Sequence, residues 1–226
     1  MALPGEIVLT DDVPATFAEH AIESFRGRSS DTYAIALSGG ETARSCYERL
    51  ADDAGSQIDW WKVDVYWGDE RCVPHDHPDS NYRLAREALL DRVGAANATH
   101  LMRCTEGPDP YQLRIGDLGR FDMIHLGLGP DGHTASLFPD SSALAADPGR
   151  LVCMNDDPSG RNPHQRMTLT LAGIARAKLA VVTVQGEAKA EALGRIARGD
   201  DLPAAHIGAE QVVWIIDPAA ASGLPA

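Results

Sequence analysis

The sequence predicts a single α/β domain, residues 1–226, in which a mostly parallel, Rossmann-like sheet carries helices on both faces. Continuous apolar runs such as 32–37 and 178–184 recur along the chain, and such runs are typical of strands buried on both faces. Stretches with helical patterning separate these runs, and helical crossovers join parallel strands. No internal repeat or low-complexity tract divides the chain, so we expect one domain.

The predicted strands and helices alternate from the N-terminus onwards. Strands are expected at 6–10, 32–37, 63–67, 121–128, 178–184 and 211–217, and 166–171 is either a strand or an extended lead into a short helix. Helices are expected at 13–28, 41–50, 81–93 and 186–199, and a short one opens at 217–218. Asp11 or Asp12 and then Ser80 are the predicted N-caps, and Gly199 follows the last long helix. The polar segments 68–81 and 157–165 are predicted to be loops.

The net negative charge of the chain argues against large anionic binding partners. Lys and Arg number 20 against 33 Asp and Glu, which gives a net charge of −13. Such a chain is expected to bind neither nucleic acid nor an anionic membrane. An anionic small molecule would need a local positive pocket. The first residues lack the pattern of a signal peptide, and no stretch of about 18 apolar residues is present, so we expect a cytoplasmic protein.

The four cysteines, at 46, 72, 104 and 153, show no spacing typical of a zinc site. Their even number leaves disulfides open, but a chain of this size does not need them to stabilise its core. Reduced, buried thiols are therefore the favoured prediction.

A glycine pattern at 127–132 formally matches the dinucleotide-binding motif G-x-G-x-x-G. That motif requires a long helix after its third glycine, but Pro139 lies seven residues after Gly132 and leaves room for two turns at most. Pro130 also removes an N–H group from the turn. NAD binding is therefore not expected, and the glycines more simply present Asp131 and His133 at a strand end. His133 is a candidate general base; alternatively its imidazole only bonds a backbone carbonyl.

The segment LSGGET, 37–42, reads as a strand, a turn of small residues and a helix start. Backbone N–H groups at Gly39 and Gly40, with the hydroxyls of Ser38 and Thr42, are suited to hold a phosphate. The alternative is a plain turn with a capping hydroxyl. The carboxylate of Glu41 would repel a phosphate unless it points away.

Further polar residues follow other predicted strands. Asp69 and Arg71 come at the end of the third strand, where Arg71 suits bidentate recognition of a carboxylate or phosphate. An internal salt bridge among Asp69, Glu70 and Arg71 is the alternative. Arg166 and Lys189 are singly ordinary surface cations, but with Arg71 they are the obvious candidates for a local positive pocket. The histidines of the segment HDH, 75–77, are weak metal candidates because no third ligand is fixed by their spacing.

The combination of these segments resembles the 6-phosphogluconolactonase family. The resemblance runs in order over about residues 6–220, through LSGGET (37–42), GDERCVPHDHPDSNY (68–82), FDMIHLGLGPDGHTASLFPDS (121–141), RMTLTL (166–171), GEAKAEAL (186–193) and VVWIID (212–217). The related glucosamine-6-phosphate deaminases carry a glutamate shortly after the D-G-H motif, and this chain has TASLFP (134–139) there. The family's phosphate loop often reads S-G-G-[ST]-[TP]-P, from which Glu41 and Ala43 depart.

The resemblance implies hydrolysis of 6-phospho-D-glucono-1,5-lactone, in the oxidative pentose phosphate pathway, by a monomer without cofactor or metal. It implies that His133 activates water, that Asp131 orients His133 or a substrate hydroxyl, and that a cation or loop N–H groups stabilise the oxyanion. Catalytic roles are thus expected for His133, Asp131 and Arg71. Binding roles are expected for Ser38, Gly39, Gly40, Thr42, Asp69, Arg166 and Lys189. Ser136 is a rival nucleophile, but it lacks the G-x-S-x-G elbow. An isomerase or deaminase and a non-catalytic sugar-phosphate sensor remain the alternatives.

Overall fold

The computed structural model describes residues 3–55 and 57–225. The strands are β1 (Glu6–Leu9), β2 (Tyr33–Leu37), β3 (Val63–Trp67), β4 (Asp69–Arg71), β5 (Ala98–Thr99), β6 (Phe121–Gly127), β7 (Val152–Asn155), β8 (Arg166–Leu169), β9 (Ala177–Val184) and β10 (Gln211–Ile216). The α-helices are α1 (Val13–Arg26), α2 (Glu41–Ala54), α3 (Asn81–Ala85), α4 (Asp109–Leu118), α5 (Leu171–Ile174), α6 (Ala190–Arg198) and α7 (Pro218–Ala221). None of the helices within these residues is long and apolar enough to cross a membrane.

Seven strands form one sheet in the order β1-β10-β9-β6-β2-β3-β5, and each neighbouring pair is parallel. At its centre, Ile35 of β2 lies between Met123 of β6 and Val65 of β3. Every residue of β2 is buried, as its unbroken apolar run predicts. The predicted α/β fold with a mostly parallel sheet is confirmed.

The direction of the chain across this sheet reverses once. β1, β2, β3 and β5 follow one another towards one edge, whereas β6, β9 and β10 run back towards the other. Right-handed crossovers then place α1, α2 and α3 on one face and α4 and α6 on the other. α1 and α2 accordingly pack against each other. β2 and β6, where the reversal occurs, are neighbours, and a crevice opens beyond their carboxyl ends, where α/β sheets bind ligands.

A second, antiparallel sheet of three strands has the order β4-β8-β7. It corrects the prediction that 68–81 is wholly loop, because residues 69–71 form β4. Arg71 pairs with Arg166, and Asp69 pairs with Thr168. A three-residue polar strand gives no apolar period in the sequence, so only its pairing with β8 identifies it.

Several helix bounds differ from the prediction. The helix expected at 81–93 begins with its predicted N-cap, since Ser80 Oγ accepts from the Arg83 N–H, but α3 ends at Ala85 and a π-helical turn covers 86–90. The helix expected at 41–50 extends to Ala54. The helix expected at 186–199 begins as a 3-10 turn, and α6 starts at Ala190. α4, β5 and β7 were not predicted.

A disulfide joins Cys72 and Cys104, so the prediction of four reduced cysteines is wrong. The parallel neighbours β3 and β5 explain the pairing: each cysteine lies five residues after the end of one of these strands. Two chain segments that leave the same sheet edge at equal distance meet there, which a separation of 32 residues does not reveal in the sequence. Cys46 is a buried thiol and Cys153 a half-buried one.

Candidate active site

A cavity of about 180 Å³ lies at the crevice between β2 and β6. The loop after β2, strand β4, the loop after β6 and the turn that precedes α6 form its wall. The lining residues are Ser38, Gly39, Gly40, Asp69, Arg71, Asn81, Gly127, Leu128, Gly129, Pro130, His133, Ala135 and Lys189. Seven of the ten residues proposed from the sequence are therefore brought to one cavity. Asp131, Thr42 and Arg166 lie outside its lining.

His133 is held by Asp131 through two hydrogen bonds. Its Nδ1 lies 2.6 Å from Asp131 Oδ1, and its backbone N–H donates to the same oxygen at 3.2 Å. With the proton on Nδ1, the other ring nitrogen, Nε2, carries a lone pair and has no hydrogen-bond partner among residues 3–55 and 57–225. Burial raises the pKa of Asp131, but the hydrogen bond and charge of His133 outweigh it, and the net shift is downward. Asp131 is thus a carboxylate at neutral pH.

The loop after β6, which carries Asp131 and His133, is held by hydrogen bonds within itself. It is not followed directly by an α-helix. Gly129 N–H donates to the His133 carbonyl, and Thr134 Oγ1 donates to the Gly127 carbonyl at 3.0 Å. Gly132 has a φ of +88°, which favours glycine. The imidazole lies directly over Gly129, where a Cβ would collide with its ring. The glycines therefore position a histidine, and the prediction that the dinucleotide motif lacks its helix is confirmed.

The loop after β2 ends at the N-terminus of α2 with no side-chain cap. Its N-cap, Gly40, has a φ of +97°. The first N–H groups of an α-helix have no intrahelical acceptor, and the helix dipole adds partial positive charge there. Glu41 is exposed and does not line the cavity, so its carboxylate does not occupy this site. Thr42 is half-buried in the first turn of α2.

A buried network fixes this loop from beneath. Tyr47 Oη accepts from the Ser38 N–H at 2.6 Å and lies 3.2 Å from the Ser38 carbonyl, to which it donates. The same oxygen is 3.0 Å from His125 Nδ1, and His125 Nε2 is 2.9 Å from Thr183 Oγ1. Burial lowers the pKa of His125 to about 3, so its ring is neutral at ordinary pH. Ser38 is therefore locked to the core of the sheet.

Two buried carboxylates of β4 have different partners. Glu70 accepts from the backbone N–H groups of Arg71, Asn81 and Tyr82 and from Ser80 Oγ, so it anchors the start of α3. Burial raises the pKa of Glu70, and these N–H groups oppose the shift.

Asp69 Oδ2 accepts from Ser136 Oγ at 2.7 Å, and Asp69 Oδ1 accepts from Asn81 Nδ2 at 3.2 Å. Ser136 is buried and donates its hydroxyl proton to a carboxylate that two neighbours hold in place. No histidine lies among its hydrogen-bond partners in the described residues. This arrangement does not resemble that of an activated serine nucleophile.

Arg71 is adjacent to two acidic residues in the chain but is not paired with either of them. Within the described residues, Arg71 forms no ion pair with Asp69 or Glu70; its Nη1 donates instead to the Asp79 carbonyl at 2.5 Å. The expected alternative of an internal salt bridge is therefore wrong. Arg166 is buried and pairs with Arg71 across β4 and β8, and burial, followed by the charge of Arg71, lowers its pKa. The Arg166 guanidinium remains charged at neutral pH, because an arginine pKa starts far above 7.

Lys189 lines the same cavity from the 3-10 turn before α6. Burial lowers its pKa, and the charge of Asp131 opposes the shift. A partly buried ammonium group near a carboxylate can hold an anionic ligand without exposing its charge to bulk water.

Asn81 was missed as a site residue, although the S-N pair at 80–81 belongs to the segment that carries the resemblance. Its side chain is buried, lines the cavity and donates to the Asp69 carbonyl at 2.9 Å. Its Oδ1 has no hydrogen-bond partner within the described part of the chain. The amide packs against Gly39 so closely that a Cβ at 39 would collide with it. Asn81 therefore joins β4 to the loop after β2, a contact between distant segments that no local pattern indicates.

A family model described as glucosamine-6-phosphate isomerases/6-phosphogluconolactonase matches residues 7–214. The chain belongs to this family. Among named members, the 6-phosphogluconolactonase of Synechocystis is 39% identical over 209 residues, which cover 84% of each chain. That of Mycobacterium tuberculosis is 35% identical over 212 residues, covering 84% of this chain and 85% of the relative.

Solved structures of the family superpose over nearly the whole chain. The 6-phosphogluconolactonase from Trypanosoma cruzi gives a TM-score of 0.83 at 25% identity and covers 100% of this chain and 99% of its own. That of Thermotoga maritima gives 0.76 at 28% identity and covers 94% and 99%. A glucosamine-6-phosphate deaminase gives 0.80 at 18% identity, which shows a shared fold alone.

Proposed function

We propose that this protein hydrolyses 6-phospho-D-glucono-1,5-lactone to 6-phospho-D-gluconate, in the oxidative pentose phosphate pathway. The similar proteins named 6-phosphogluconolactonase support this substrate. The observation that carries the mechanism is the imidazole of His133 on the cavity wall, with its Nδ1 bound by Asp131 and its Nε2 left as an acceptor. We further expect the enzyme to act as a monomer in the cytoplasm.

In this mechanism, His133 Nε2 accepts a proton from a water molecule as the water oxygen bonds to the lactone carbonyl carbon. The tetrahedral intermediate then collapses, and the bond from this carbon to the ring oxygen breaks. The imidazolium returns its proton to the departing ring oxygen, so that a hydroxyl and a carboxylic acid result. Asp131 keeps the tautomer and stabilises the transient imidazolium, and such a base contributes about 10²–10⁴-fold to the rate.

The phosphate of the substrate is proposed to bind at the N-terminus of α2. Gly39 and Gly40 supply backbone N–H groups, and Ser38 and Thr42 supply hydroxyls. Arg71, Arg166 and Lys189 add positive charge around the cavity, against the net charge of −13 for the whole chain. Asp69 accepts from a sugar hydroxyl. A phosphate held at this point places the reacting carbon beside His133, which reduces the entropic barrier.

The alternatives act on the same kind of ligand. A deaminase or isomerase would open the ring of an amino sugar phosphate, but the loop after His133 lacks the glutamate that the deaminases carry there. A sensor would need only the phosphate site, and the His133–Asp131 pair would then have no function in it. Turnover of the lactone and of glucosamine 6-phosphate, measured side by side, tests both alternatives.

The test is the rate of loss of freshly generated lactone at neutral pH, corrected for spontaneous hydrolysis in buffer. We expect fast turnover of the phosphorylated lactone, little of unphosphorylated gluconolactone, and no release of ammonia from glucosamine 6-phosphate. His133→Ala should lower kcat by about 10²–10⁴-fold. The matched control is His206→Ala, because His206 also pairs with a carboxylate, Asp201, but lies outside the cavity.

A wild-type rate equal to that in buffer would refute the lactonase proposal, and ammonia release would favour the deaminase. A His133→Ala variant that stays folded and active would show that the base is another residue.

A further inference from the structure

Three side chains with metal-binding atoms converge outside the cavity, on two loops. His77 and Asp79 lie in the loop after β4, and His164 lies in the loop before β8. Their ligand atoms all lie within 4.8 Å of one another. His164 Nε2 is 2.9 Å and His77 Nδ1 is 3.8 Å from Asp79 Oδ2. The two imidazole rings stand nearly perpendicular, with centroids 5.6 Å apart.

We propose that His77, Asp79 and His164 bind a divalent transition metal ion, with Zn²⁺ as the best match. Zinc bonds to nitrogen and oxygen are about 2.0–2.2 Å long, which puts the ligand atoms of a tetrahedral ion about 3.4 Å apart. The distances of 2.9 and 3.8 Å lie on either side of this value. His77 Nδ1 accepts from the Asp79 backbone N–H at 3.1 Å, so binding of the ion exchanges this hydrogen bond for a metal bond after small side-chain rotations.

The donor set distinguishes among metals. Two imidazoles with one carboxylate suit zinc, cobalt or nickel, whereas calcium and magnesium prefer oxygen ligands alone. The side chains are 39%, 52% and 30% exposed for His77, Asp79 and His164, so water can occupy the fourth position. Such an open, three-ligand site exchanges its ion with solvent.

The position of this site connects it to the cavity. The Asp79 carbonyl accepts from Arg71 Nη1 at 2.5 Å, and the His164 carbonyl accepts from Arg166 Nη1 at 2.8 Å. Arg71 and Arg166 are opposite each other in the β4–β8 pair. An ion that joins the two loops would therefore fix the two backbone carbonyls that orient both arginines. Binding of the ion is independent of the proposed lactonase activity, whereas its effect on substrate binding rests on it.

The test uses the full chain after dialysis against a chelator, titrated with Co²⁺ and followed by visible absorption, and then with Zn²⁺ in competition. We expect one equivalent of Co²⁺ to bind with the absorption of a four- or five-coordinate ion, and Zn²⁺ to displace it. Loss of one ligand, in His77→Ala or His164→Ala, should weaken binding at least about tenfold, since even outer-shell changes weaken metal sites 10–100-fold.

A control variant distinguishes this site from the other histidines. His75→Ala is the matched control, because His75 lies in the same loop but packs edge-on against Tyr82. It should bind Co²⁺ as the wild type does. No uptake by the wild type, or loss of uptake in His133→Ala but not in His164→Ala, would overturn the proposed site.

The link to the cavity has its own readout, the KM for the lactone with and without one equivalent of Zn²⁺. We expect KM to change at least about twofold in the wild type and to stay constant in His164→Ala. Metal uptake with an unchanged KM would establish the site and refute its link to Arg71 and Arg166.

Discussion

At the scale of single residues, the tautomer of His133 depends on one oxygen. Asp131 Oδ1 accepts from both the Nδ1 and the backbone N–H of His133. A carboxylate can only accept, so it selects the tautomer in which Nδ1 carries the proton and Nε2 does not. The downward shift in the pKa of Asp131 keeps this group ionised across the neutral range.

Asp131→Asn should therefore impair catalysis while leaving the fold intact. An asparagine amide can donate to Nδ1 and select the wrong tautomer, so we expect kcat to fall by tenfold or more, up to the roughly 10²–10⁴-fold that the base supplies. KM should change little. The measurement is steady-state lactone hydrolysis, with Asp201→Asn as the control at the exposed His206 pair. A variant with more than half of the wild-type kcat would contradict this role.

At the scale of elements, the loop after β6 is shaped to hold one imidazole. A Cβ at Gly129 would meet the ring of His133, so the absence of a side chain there is a requirement of the site and not of the fold. The tight loop is closed by its own backbone bonds, such as Gly132 N–H to the Gly129 carbonyl.

Gly129→Ala is accordingly expected to displace His133 and lower kcat by about 10²-fold, the usual effect of a shift of about 1 Å in a catalytic group. The matched control is Gly116→Ala on the exposed face of α4, where a Cβ meets nothing within 4 Å. That change should leave kcat unaffected and raise the free energy of unfolding by about 0.4–1 kcal/mol. Lactone hydrolysis and urea unfolding of both variants provide the check; equal kcat values would disprove the steric argument.

At the scale of the whole molecule, the Cys72–Cys104 disulfide joins the segment after β4, which lines the cavity, to the segment after the edge strand β5. The bond closes a loop across a separation of 32 residues, and Cys72 directly follows Arg71. Cross-linking a loop of this length stabilises a protein by about 2–4 kcal/mol, mainly by restricting the unfolded chain.

Cys104→Ser should lower the free energy of unfolding by this amount, about 2–4 kcal/mol. Cys153→Ser, at a half-buried thiol outside any disulfide, is the control for the loss of a sulfur atom. Urea denaturation of both variants, with a thiol count under denaturing conditions, measures the difference. Equal stabilities, or four titratable thiols in the wild type, would show that the bond does not contribute.

The sequence predicts six of the seven strands of the large sheet, because these strands are apolar runs separated by helical segments, whereas the two-residue β5 has no such run. β2, β6 and β9 are buried on both faces, and that burial requires their composition. The small antiparallel sheet was largely missed, since β4 has three polar residues. The helix predicted at 81–93 is longer than α3, because the π-helical turn after Ala85 retains the apolar spacing of a helix.

The fold class and the chemistry available at each strand end can be read from local composition, because apolar runs must be buried and parallel strands bring their carboxyl ends to one edge. Which of these groups meet depends on the three-dimensional arrangement of the strands. Asn81 against Gly39, Cys72 bonded to Cys104, and His77 beside His164 all join segments whose separation in the chain carries no trace of their contact. Such pairs are fixed by strand order and crossover direction, which are properties of the whole sheet.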